Sequence, residues 1–96
     1  MPKEAGNELL DKLTAALKTA MKAKDRETAM ALRLVLAVLQ NLRIAKRAAL
    51  TDEEVTAALQ KEAKKRTESK AIYEQAGRSE LAAIEEREFK IIRQWL

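Results

Sequence analysis

The chain predicts an all-α fold, a four-helix bundle-like domain with antiparallel neighbours and short connections. Two observations predict it. Of the 96 residues, 47% are apolar and only 3% aromatic, so the core must be built from Leu, Ile, Val, Met and Ala, a helical composition. Apolar residues also recur at helical spacing from Leu9 to the last residue. Two of the three breakers, Pro2 and Gly6, fall in the first six residues, which leaves little for hairpins, a β-sandwich or a Gly-rich phosphate loop. One domain of ~100–150 residues accounts for the length.

The segment 1–6 reads as a flexible lead and 7–96 as the helical domain. Asn7 is placed to cap the first helix, whose apolar line runs Leu9, Leu10, Leu13, Leu17 and Met21 to about Ala23. Lys24-Asp25 is the break before a second helix, capped by Asp25 and running through Met30, Leu34, Val38 and Leu42 to about Arg47. Apolar residues cover most of its circumference, so it is expected to be the most buried element. Thr51-Asp52-Glu53-Glu54 starts a third helix, with Thr51 and Glu54 as a capping box. Gly77 supplies the left-handed residue that ends it after Ala76. Ser79 is expected to cap the fourth, which carries Leu81, Ile84, Phe89, Ile91, Ile92 and Trp95.

With no Cys and no His, thiolate and imidazole metal sites, disulfides and the Ser-His type of catalysis are excluded. No cofactor and no catalytic residue is expected. The longest apolar run, Ala29 to Leu39, is eleven residues and contains Arg33, short of a membrane span. No apolar leader opens the chain, so a cytoplasmic setting and no membrane partner are expected.

The formal charge is +4, and the excess is uneven: residues 1–50 hold ten Lys/Arg against five Asp/Glu. Lys12, Lys18, Lys22, Lys24 and Arg26 on the first helix and its turn, with Arg43, Lys46 and Arg47 at the end of the second, could flank a phosphate backbone or simply form solvated faces. Lys61, Lys64, Lys65, Arg66 and Lys70 make a denser cluster on the third helix, interleaved with Glu62 and Glu68.

Polar residues also occupy positions where the helical period calls for apolar ones. Glu62, Arg66 and Ser69 share a sector of the third helix with Val55, Leu59 and Tyr73, while Glu85 and Glu88 sit within the apolar arc of the fourth. In the second helix Arg33 interrupts the apolar run. One reading is a structural ion network of Arg33, Glu62, Arg66, Glu85 and Glu88 that fixes helix register. The other is a carboxylate site for a metal or for acid/base work, although the di-iron bundles use a Glu-x-x-His pairing and no histidine is present.

Five segments, Lys18–Asp25, Leu32–Ala37, Leu50–Val55, Gln60–Ser69 and Ala76–Ala82, closely resemble the GatB/YqeY domain family in order and spacing. The specific part is the Lys-Glu-Ala-Lys-Lys-Arg-x-Glu-Ser stretch followed by Ala-Gly-Arg. That resemblance implies an all-helical domain related to the tail of the tRNA-dependent amidotransferase B subunit and to an appendage of some glutaminyl-tRNA synthetases. It implies a non-catalytic accessory that binds tRNA, with an amidotransferase or an aminoacyl-tRNA synthetase as partner enzyme. On that reading Lys61, Lys64, Lys65, Arg66 and Arg78 contact phosphates, with Lys18 and Lys22 second. The alternatives are a protein-interaction or oligomerisation module and, more remotely, a component of a carbon-nitrogen ligase with glutamine as amido donor. Family members usually continue into a second, smaller helical domain, whereas this sequence stops at Trp95-Leu96. Those two residues are therefore expected to be exposed and available for homo-oligomer contact.

Overall fold

The computed structural model describes residues 7–96. The expected flexible lead, residues 1–6, and the capping side chain of Asn7 fall outside the described residues. Four helices follow in order: α1 (Asn7–Lys22), α2 (Arg26–Lys46), α3 (Asp52–Gln75) and α4 (Ser79–Arg93). The described residues contain no strand.

The connections are short because single residues serve two helices. Lys24 adopts the left-handed conformation (φ 57), and the amide of Asp25 donates to the Ala20 carbonyl at 2.9 Å, closing α1. The carboxylate of Asp25 in turn accepts from the amide of Thr28 at 3.2 Å and its hydroxyl at 2.7 Å, opening α2. The expected capping box is complete: the Glu54 amide donates to the Thr51 hydroxyl at 3.1 Å and the Thr51 amide to the Glu54 carboxylate at 2.9 Å. Gly77, with φ 72, ends α3, and the Arg78 amide donates to the Tyr73 carbonyl at 2.8 Å. Arg78 thus completes the end of α3 and is also the N-cap of α4, without a side-chain cap bond. Ser79 therefore lies inside α4 and does not cap it. The turn has no spare residue for the role expected of it.

α3 packs most closely on α4, and α1 on α2; the two hairpins then meet through α2 against α4 and through lesser contacts of α1 and α2 with α3. The shared core contains Leu13 of α1, Leu32, Val35 and Leu39 of α2, Val55, Leu59 and Ala63 of α3 and Ile92 of α4. Phe89 and Trp95 pack against it from partly buried positions. Trp95 is therefore held in the fold, contrary to the exposure expected of it, while Leu96 is exposed. The molecule is elongated, 52 × 29 × 20 Å.

α2 buries five of its 21 residues, a larger share than any other helix, but it is not buried on all sides. Ala29, Ala31, Leu32, Val35 and Leu39 face the core, but Met30, Leu34, Leu42 and Ile44 are exposed. Three neighbouring helices leave one side of α2 uncovered among the described residues. Its 21 residues are also long and apolar enough, by length and composition, to cross a membrane, which the eleven-residue run had not suggested. A core helix passes the same test.

Candidate polyanion-binding face and buried ion cluster

The polar residues in the apolar sectors of α3 and α4 meet at one place. Arg66 lies one turn after Glu62 on α3, so the helical period puts both on the side that packs against α4. Glu85 and Glu88 are three residues apart on α4 and reach the same point. Arg66 Nη1 is 3.5 Å from Glu62 Oε1, and its Nε is 3.2 Å from Glu88 Oε1 and 4.0 Å from Glu85 Oε2. Lys65 Nζ approaches the other Glu62 oxygen at 3.2 Å. Glu62 is only 4% exposed and the Arg66 side chain 12%, so this charge is largely removed from water.

Three carboxylates thus face one guanidinium and one ammonium. Burial raises the pKa of Glu88 above the ordinary carboxylate value, and the neighbouring Glu85 raises it further, against the opposing pull of Arg66. The Arg66 Nε proton is buried with no hydrogen-bond partner, although Glu88 is within 3.2 Å. The contact is therefore charge proximity without hydrogen-bond alignment. A second α3–α4 ion pair, Lys70 with Glu86, lies nearer the solvent, and Arg87 of α4 reaches Glu27 of α2 at 3.1 Å.

Arg33, expected in this network, is exposed and forms none of its contacts. One residue after Leu32 is ~100° of helical turn, enough to take it off the core face. The sector of a single helix cannot show on which flank the neighbouring helix lies. Among the described residues no group of three or more His, Cys, Asp or Glu is arranged to hold a metal ion; what the cluster shows is charge pairing between α3 and α4.

The residues expected to contact phosphate do not form one surface. Arg66 is committed inside the fold and unavailable to a polyanion. Lys61, Lys64 and Lys65 are exposed on α3, with Lys65 shared with Glu62. Lys61 lines a shallow groove together with Lys46, Leu42, Leu50 and Glu54. Arg43 and Arg47 are exposed within a turn of Lys46. Lys46 itself bonds the Ala49 carbonyl and the Glu54 carboxylate, and this pairing holds the Glu54 pKa below its ordinary value. Arg78 lies at the α3–α4 turn, ~20 Å from Lys61 by helical rise. Lys18 and Lys22 are exposed on α1; Lys22, beside the α1–α2 turn, is separated from Lys46 by the ~30 Å length of α2.

A further feature was not anticipated. Met30, Leu34, Ala37, Asn41 and Ile44 form an exposed line along α2. Its signal is present in the sequence as alternating spacings of four and three residues, which a helix expected to be buried on most sides absorbs into the core.

A protein-family model described as Yqey-like protein matches residues 10–96. No curated protein matches the chain.

Proposed function

The chain belongs to the Yqey-like family, and on that premise we propose that it is a non-catalytic accessory that binds tRNA through the sugar–phosphate backbone. The observation that carries this reading is the arrangement of Lys61 and Lys64. Both are exposed on α3 and form no ion pair with a carboxylate of the described residues, and Lys61 shares a groove with Lys46 at the basic end of α2. Two free ammonium groups beside further cations suit a row of phosphates, and A-form RNA is recognised largely by shape and backbone. Such contacts carry no sequence information. Selection of a particular tRNA then falls to a partner enzyme, an amidotransferase or an aminoacyl-tRNA synthetase.

Titration of labelled tRNA at several salt concentrations tests the proposal. Binding in the ~1–100 μM range at physiological salt is expected from one small domain, weakening steeply as salt rises. Replacing Lys61 and Lys64 by Ala should lower affinity and flatten the log–log salt slope by roughly 1.5–2 units. Substituting Lys18 and Lys22 should change it less. Undetectable binding at low salt, or a slope unchanged by the double substitution, would remove the tRNA reading from this face.

A further inference from the structure

One side of α2 serves the core and the other is bare. On the bare side Met30 and Ile44 are each 62% exposed and Leu34 is 44% exposed; Ala37 and Asn41 between them are exposed too. The spacings from Met30 to Ile44 are four, three, four and three, the 3.5-residue repeat with which one helix meets another along a continuous seam. The line stays on one side of the helix for fourteen residues, ~21 Å. Two arginines one heptad apart, Arg26 and Arg33, follow one edge. The single acid of α2, Glu27, is held by Arg87 of α4, so the seam is apolar along its middle and positive along one side.

We propose that this seam receives an amphipathic helix of another protein, apolar at matching spacings and acidic along the edge that meets Arg26 and Arg33. Charge selects the occupant. A second copy pairing antiparallel would bring Arg26 and Arg33 towards the basic far end of the other α2, and like charges across such an edge oppose pairing. A parallel copy would need Ala31 at the opposite edge, and Ala31 is fully buried. A lipid surface is disfavoured because Asn41 lies within the stripe and no aromatic residue anchors it. Asn41 instead suits a polar partner residue, which fixes register between two helices. The seam is distinct from Lys61 and Lys64 on α3, so the proposal stands apart from tRNA binding.

The probe is a fluorescein-labelled synthetic 21-residue helix with Leu at the seam positions, one Asn and Glu along its edges, compared with a twin carrying Lys in place of Glu. Anisotropy titration with the full chain should show saturable one-to-one binding, at least tenfold tighter for the acidic peptide. Met30→Ser with Leu34→Ser should weaken binding about tenfold or more while leaving helical circular dichroism unchanged. Arg26→Glu with Arg33→Glu should reverse the preference toward the Lys peptide, a change that loss of folding could not produce. Equal binding of both peptides, or indifference to the Met30 and Leu34 substitutions, would overturn the proposal. So would a dimer in sedimentation that those substitutions dissolve, or capture by phosphatidylglycerol vesicles with no peptide binding. tRNA titration of the same variants, expected unchanged for Met30→Ser with Leu34→Ser, keeps its outcome separate from the failure of the tRNA reading.

Discussion

The two hairpins break the usual helical pattern in opposite ways. α3 and α4 turn charge inward: Glu62, Arg66, Glu85 and Glu88 occupy the interface between them. α1 and α2 close over an ordinary apolar seam that includes Leu13, Leu32, Val35 and Leu39, while α2 turns Met30, Leu34 and Ile44 outward. A buried charge is tolerated only where a partner meets it, so the first departure is resolved inside the molecule. Among the described residues nothing covers the second. Departures from amphipathic order therefore separate what the fold pairs inside from what it leaves exposed.

The contrast is broken most directly at Arg66. Arg66→Ala leaves three carboxylates facing one another with only Lys65 nearby, and should lower stability by about 3–5 kcal/mol in urea unfolding. A loss within ~0.5 kcal/mol, the range of surface sites, would show the cluster to be solvated and the hairpins alike. On the inner side of α2, Leu39→Ala should cost about 2–5 kcal/mol through the cavity it leaves. Thr51→Ala removes one half of the capping box and should cost about 1 kcal/mol, read from the same denaturant midpoints.

The sign of the pH dependence sharpens the comparison within α4. The folded pKa of Glu88 is raised, so the stability it contributes is full below the ordinary carboxylate pKa and is lost as pH rises through the raised value. Lys70 lowers the pKa of Glu86, so that residue contributes above the ordinary value and its contribution is lost as pH falls. Glu88→Gln should therefore gain on the wild type as pH rises through the mildly acidic range, whereas Glu86→Gln should lose on it. Urea midpoints across a pH series check both; parallel curves for wild type and Glu88→Gln would refute the first. The smallest effect is expected at Leu34→Ala, within ~0.5 kcal/mol, because the side chain meets no core. A loss comparable with that of Leu39→Ala would mean the outer stripe is structural.

Local signals made most of the fold legible. Thr51 with Glu54, Asp25 before Thr28 and Gly77 after the third helix each act within one turn, and each appears with its expected hydrogen bonds or conformation. Glu62, Arg66, Glu85 and Glu88 were legible for a different reason, since charge in an apolar sector demands a partner. What escaped needed knowledge of a neighbour. Arg33 and Met30 lie on a helix apolar nearly all round, and only the packing of α4 and α1 decides which side is covered. Arg66 could be read both as a phosphate contact and as a network member, because sequence proximity to Lys64 and Lys65 cannot distinguish the outer side of α3 from the inner.

The length of α3 has a consequence in time. Its first half carries Val55, Leu59 and Ala63 into the core, but Ile72 is exposed and so is every residue from Glu74 to Leu81. Past the Lys70–Glu86 pair, little more than the burial of Ala82 ties the far end of the hairpin down. Backbone amides there can exchange with solvent through openings that leave the rest of the molecule intact, while those near Leu59 must await a much larger unfolding. One continuous helix thus runs on two clocks, a fast one towards the Gly77 turn and a slow one around Leu59.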